Sequence, residues 1–221
     1  VTYKFDFAIV AASMDVLARG CWQTLQMSLA AIMLAMGIAL GVALIRRIGP
    51  TPLRWIVRAY VDVIRNTPFL IQIFIIYFGL PSIGIRMDPT TAAVIGLGIN
   101  GSAYCSEIMR GGIDSIHKGQ VEAALALSLT PIQVFRYVIL TPALRAVYPA
   151  LGSQFILLLL TSSIVSSISA NELTQAAQQI EAKSFRSFEV YLVVTLLYLA
   201  MTMAMSWALK WLFRVSFRYP V

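Results

Sequence analysis

Residues Leu29–Ile45 read LAAIMLAMGIALGVALI, seventeen positions without a polar side chain, closed by the pair Arg46-Arg47. A hydrocarbon core about 30 Å thick takes roughly 20 helical residues to cross, and the preceding turn, Trp22–Ser28, supplies the remainder. In that solvent the backbone must satisfy its own hydrogen bonds, so the run is read as a membrane-spanning helix. The whole chain agrees with it. Of 221 residues, 59% are hydrophobic and 12% charged, where soluble domains carry about 25% charged residues. Mean hydropathy is +0.79. A soluble chain of this length could not hide so much apolar surface.

Working outward, Pro52–Leu80 is a second candidate, amphipathic at first and apolar from Phe69, with a kink expected at Pro68. Thr90–Met109 is a third, softened by Gly96, Gly98 and Gly101. Arg110–Gln133 reads as a loop with short helices. Tyr137–Leu160, containing Pro142 and Pro149, is a fourth span. Thr161–Glu189 is a polar connection with an amphipathic helix around Glu172–Glu181, and Val190–Leu209 is a fifth span. The expected architecture is one all-α integral membrane domain over residues 1–221, with about five transmembrane helices. The stretch before Leu17 carries Asp6 and Asp15 and no basic region, so no cleaved signal peptide is expected. Cys21 and Cys105 fit no disulfide framework or metal-ligand spacing.

Net charge is +7. The basic residues sit at the ends of apolar segments, which fits membrane orientation better than nucleic-acid binding. With the N-terminus outside and the C-terminus inside, Arg46, Arg47, Arg54, Arg58, Arg110, Lys118, Arg136, Lys210, Arg214 and Arg218 fall on the cytoplasmic side. Lys4, Arg19, Arg86, Lys183 and Arg186 fall outside, and Arg65 and Arg145 lie at intermediate depth. That bias sets the expected orientation.

The loop at about 111–136 carries the strongest signal. Glu122–Leu127 is strong helix sequence with small Ala123, Ala124 and Ala126. Thr130-Pro131-Ile132-Gln133 has the form of a capping box with proline at the first helical position. Two short helices are expected, broken near Ser128–Leu129, lying across the membrane surface. The alanines would let a partner approach, and the helix dipole would favour Glu122 near an N-terminus.

This stretch resembles the EAA motif of permease subunits of ATP-binding cassette importers. Arg65–Pro81, Ala103–Gln120, and Glu172–Gln179 followed by Phe185–Tyr191 resemble signatures of the polar amino acid uptake subfamily, the histidine/glutamine/arginine-type permeases. The four ordered matches run from about residue 15 to the end of the chain. The resemblance implies a multi-pass protein of the bacterial cytoplasmic (inner) membrane. Its coupling helix, with Glu122, Ala123, Ala124, Ser128, Thr130 and Pro131, would dock into a groove of an ATPase. It also implies two ATPase subunits, a second permease chain, identical or homologous, and an extracytoplasmic binding protein docking on outer loops that include Leu173–Gln179. The sequence holds no G-x-x-x-x-G-K-[ST] phosphate loop. ATP and magnesium would therefore belong to the partner, with no cofactor, catalytic residue, metal site or nucleic-acid partner on this chain. There are departures from the family pattern. Ser128 stands where it usually has glycine, Leu140-Thr-Pro-Ala143 displaces a proline by one position, and Leu159–Ser163 lacks a lysine common there.

Polar groups at membrane depth are the candidates for a substrate path: Arg65, Thr67, Gln72, Asn100, Ser102 and Glu107. Uncharged polar side chains there either contact a zwitterion at the midplane or bond between helices. Arg58, Asp62 and Arg65 share one helix face, as a vestibule wall or an ion-pair ladder. Glu107 and Arg110 are expected to pair, Gly37-x-x-x-Gly41 to serve helix packing, and His117 to be solvated. The rival function is a stand-alone ion-coupled secondary transporter or channel. It requires an inverted repeat and charged midplane sites, neither of which the sequence shows.

Overall fold

The computed structural model describes residues 4–216; Arg218 lies outside them. Among the described residues all regular structure is helical. A short helix α1 (Ala8–Ala12) leads into α2 (Met14–Ile48), which contains the Leu29–Ile45 run and ends at Gly49-Pro50. Next come α3 (Thr51–Arg65) and α4 (Phe69–Phe74), the latter continuing as a π-turn and a 3-10 turn to Ile83. Asp88 opens α5 (Pro89–Asp114) by accepting from the Thr91 N–H at 3.0 Å, with Pro89 at the first helical position. The chain continues through α6 (Lys118–Ala126) and α7 (Pro131–Gln133), then a π-helical stretch Val134–Leu140 and α8 (Thr141–Thr161). A 3-10 extension to Ile168, α9 (Leu173–Ser184) and α10 (Ser187–Ser216) complete it.

Three helices, Met14–Ile48, Pro131–Ile168 and Ser187–Ser216, are long and apolar enough to cross a membrane, and a fourth is gained if α3 and α4 count as one broken span. The expected third span exists as α5 but is not among them. It is the spine of the bundle, packed against α2 on one side and α8 on the other. A helix enclosed by protein need not be apolar toward lipid, so α5 carries buried Asn100, Ser102 and several glycines.

Those glycines serve packing rather than softening. A Cβ on Gly98 would meet Leu34 of α2, and one on Gly101 would meet Leu158 of α8 and Ala35 of α2. A Cβ on Gly112 would overlap Val147 of α8. The expected packing step at Gly37 and Gly41 faces open space instead. These contacts run α5 parallel to α2 and antiparallel to α8.

Three further expectations are sharpened. The chain turns by 111° between α3 and α4, far more than a proline kink, because Pro68 stands in extended conformation between two helix ends. The helix that holds the fourth expected span begins at Pro131, ahead of Tyr137, so the second helix of the loop is the first turn of a 38-residue helical segment. The amphipathic helix expected around Glu172–Glu181 is α9, and it extends to Ser184 and packs into the bundle: Leu173, Ala176, Ala177 and Ile180 are buried, and the Leu173 N–H bonds the Thr24 hydroxyl at 3.0 Å.

Candidate functional site: a docking hairpin beside an arginine-lined cavity

Two features occupy the same end of the bundle. The first is the hairpin of α6 and α7. His117, expected to be merely solvated, caps α6 by accepting the Gly119 N–H on Nδ1 at 3.2 Å. The helix closes with the Ser128 N–H bonded to Leu125 O at 2.9 Å and the Leu129 N–H to Ala124 O at 3.2 Å. That pair of bonds is a Schellman ending, whose residue after the cap must be left-handed. Ser128 takes that position at φ +63. The Thr130–Gln133 capping box is formed in both directions, and Pro131 stands where read.

The hairpin corrects two details of its sequence reading. Glu122 lies on the second turn of α6, beyond the first turn where the helix dipole acts. Ala124 is buried, and its small side chain lets α6 pack on the π-helical stretch of its own chain, whereas Ala123 is exposed. The outward knobs are Leu127 and Ile132, 76% and 78% exposed. The π-helical stretch Val134–Leu140 precedes Pro142, whose ring cannot sit under an α-helical carbonyl. The Thr141 hydroxyl bonds Arg136 O there at 3.1 Å.

The second feature is a cavity of about 490 Å³ between the ends of α2 and α5 and one face of α3. Arg46, Arg47, Arg54, Arg58 and Arg110 line it. Glu107, also in its wall, gathers three helices. One carboxylate oxygen accepts from Arg46 of α2; the other is 2.9 Å from Arg110 Nη2 and 3.8 Å from Arg65 Nη1 of α3. Arg110 also holds Asp114 at 2.7 Å. Of the two alternatives for Arg58, Asp62 and Arg65, the ion-pair ladder does not form. Arg65 turns to Glu107 and lies over the Tyr104 ring, Arg58 lies over Trp55, and Asp62 has no ion pair within 4.0 Å among the described residues.

The remaining polar candidates form a node at the break between α3 and α4. The Gln72 amide donates to Ile64 O at 2.8 Å, Thr67 O at 3.1 Å and the Thr67 hydroxyl at 2.8 Å, and its oxygen accepts from Asn100 at 2.9 Å. Ser102 bonds Ile99 O at 2.8 Å and shares a 2.5 Å contact with the Tyr60 hydroxyl. Gln72 thus satisfies carbonyls that the end of α3 leaves free and ties them to α5. This spends its hydrogen bonds inside the chain and favours the interhelical role for the node.

At the opposite end two buried acids hold α9 and α10, a role the sequence reading did not assign. Glu172 caps α9, accepting from the Gln175 N–H at 2.6 Å, the Thr174 N–H at 2.8 Å and the Tyr198 hydroxyl at 2.7 Å. Burial nevertheless pushes its carboxyl above the usual range. Glu189 accepts the Asp6 N–H at 3.0 Å and lies 3.6 Å from Arg186. Their signal was a pair of acids flanking an amphipathic helix next to an apolar run.

The fold is a helical bundle with long apolar helices and a capped hairpin at one end. The chain belongs to the family of binding-protein-dependent transport system inner membrane components, which it matches over residues 33–215. It is similar to the glutamine transport system permease protein GlnP of Escherichia coli strain K12, 38% identical over 202 residues, 90% of this chain and 92% of the relative. It is also similar to the probable glutamine ABC transporter permease protein GlnM of Bacillus subtilis strain 168, 38% identical over 184 residues, 83% and 85% of the two chains. Among solved structures, the crystal structure of an amino acid ABC transporter with histidines superposes with a TM-score of 0.89 at 35% identity, over 96% of this chain and 99% of that one. The inward-facing MetNI methionine ABC transporter gives 0.75 at 25% identity, over 91% and 96%. Family membership sets aside the stand-alone transporter or channel.

Proposed function

We propose that this chain is one permease half of an ATP-driven importer of polar amino acids in a bacterial cytoplasmic membrane. It would pair with a second permease chain, identical or homologous, and with two ATPase subunits that hold ATP and magnesium. An extracytoplasmic binding protein would deliver substrate. The observation that carries this reading is the hairpin: a capped, exposed apolar tip continuous with a spanning helix, in a chain whose relatives are named as glutamine permeases. From Pro131 the helix runs 38 residues, about 57 Å at 1.5 Å per residue. Displacement of Leu127 and Ile132 by a closing ATPase dimer would therefore move the far end of the bundle, with the π-helical stretch as the compliant part.

In this reading Glu122, Ala123, Ser128, Thr130 and Pro131 shape the docking face, and Ala124 holds the hairpin to its own bundle. Glu107 and Arg65 form the inner wall of the substrate path, while Thr67, Gln72, Asn100 and Ser102 frame the break in the second span. The test is uptake of labelled glutamine by proteoliposomes holding the permease, its ATPase and its binding protein. Uptake should require all three components and internal ATP. Uptake by the permease alone under an ion gradient would overturn the reading.

A further inference from the structure

The arginine-lined cavity holds more positive charge than the protein neutralises. Five arginines and three carboxylates line it, an excess of two positive charges. Glu107 and Asp114 are already held by Arg46 and Arg110. Among the described residues Arg47, Arg54 and Arg58 have no carboxylate within 4.0 Å. Arg54 bonds the Gly49 carbonyl, and Arg47 and Arg58 lie over the rings of Phe135 and Trp55. The Arg46 Nε is buried without a hydrogen-bond partner. Asp62 is the one carboxylate in the wall with no ion pair to offset its own charge. Converging guanidinium donors with spare hydrogens match a phosphate, which accepts several at once.

The placement of α3 says where such an anion would come from. Standing 111° from α4, it lies near the membrane plane if α4 crosses the membrane. Its faces then sort as an interfacial helix requires. Val57 and Val61 are buried against Val42 and Ala103. Ile56 and Val63 are 63% and 59% exposed on the opposite flank, and Trp55, 66% exposed, lies under Arg58. Arg54 and Arg58 turn into the cavity between them. Basic pockets between membrane helices are the usual seat of anionic headgroups.

We propose that this cavity binds a phosphate-bearing anion, supplied either by the headgroup of an acidic phospholipid or by free phosphate. The permease is purified with its ATPase in detergent, delipidated, and titrated with phosphatidylglycerol, phosphatidylcholine or inorganic phosphate. Retained lipid is followed by native mass spectrometry and protection by thermal unfolding. Phosphatidylglycerol should be retained over phosphatidylcholine. Arg54→Gln with Arg58→Gln should weaken it roughly 30-fold, about fivefold for each arginine. Arg47→Gln, on an exposed side chain, should weaken it about fivefold without depending on the folding of the double variant. Arg19→Gln, at the other end of the bundle, should leave it unchanged. Protection by inorganic phosphate at matched concentration, lost in the same variants, would assign the site to the free anion. Equal retention of the two lipids with no phosphate protection, or binding unaffected by the cavity variants, would overturn the proposal.

Discussion

Ser128 shows how one residue can be both out of place and in position. The ending of α6 needs a left-handed residue, and Ser128 accepts φ +63 although a side chain there costs about 1–2 kcal/mol. Ser128→Gly should therefore stabilise the hairpin by about 1 kcal/mol. Hydrogen exchange at the amides of Ser128 and Leu129 should slow by several-fold; faster exchange would refute the strain argument. Glu172 gives the second case. Its folded carboxyl is raised by burial, although its hydrogen bonds to Thr174, Tyr198 and Gln175 pull it down. The folded state then holds the proton more tightly than the unfolded chain does. That contribution is fully present below the unfolded value near pH 4.3 and is lost as pH rises through the folded value. Over about pH 4 to 7, melting temperature should shift in favour of Glu172→Gln relative to wild type as pH rises. A difference independent of pH would mean that Glu172 does not titrate in this way.

At the scale of elements the hairpin separates the proposed docking tip from a self-packing face. Leu127→Asp with Ile132→Asp puts charge on the exposed tip and leaves the buried face intact. It should reduce ATPase co-purification by at least tenfold, as losing about 1.4 kcal/mol or more would, while membrane insertion persists. Ala124→Asp should act differently: an unpaired charge on the buried face loosens α6 itself, read as faster hydrogen exchange through Lys118–Ala126. If the two variants have the same exchange pattern, the division between tip and buried face is wrong. The capping box of the hairpin was legible because it is local, with Thr130, Pro131 and Gln133 within four residues, whereas the His117 cap of α6 was not. The membrane class was legible for a similar reason, since Leu29–Ile45 is a property of composition. The glycines were not. Gly37 and Gly41 have the spacing of a packing step and face nothing, while Gly98, Gly101 and Gly112 meet side chains of other helices. Spacing along one helix does not say which face its neighbours take. The Gln72–Asn100 bond and the reach of Arg65 to Glu107 depend on the 111° turn, whose size a proline alone does not fix.

At the scale of the molecule, charge and fold make one statement about orientation. The hairpin, Arg46, Arg47, Arg110 and the cavity share one end of the bundle; α9 with Lys183 and the Glu189–Arg186 pair lie at the other. Positive charge gathers at the hairpin end, so the orientation proposed from the positive-inside bias would put that end in the cytoplasm, where an ATPase and its nucleotide would be. Substituted-cysteine labelling tests this directly. With Cys21 and Cys105 replaced by alanine, Gln120→Cys on the hairpin and Ser184→Cys at the end of α9 report the two ends. In intact cells with a permeable outer layer, a membrane-impermeant maleimide should label Ser184→Cys and spare Gln120→Cys. In inverted vesicles the pattern should reverse, and excess ATPase should then protect Gln120→Cys. The opposite pattern would place the hairpin outside, away from any source of ATP, and would remove the docking role. Reversal without ATPase protection would keep the orientation and move the docking face off α6.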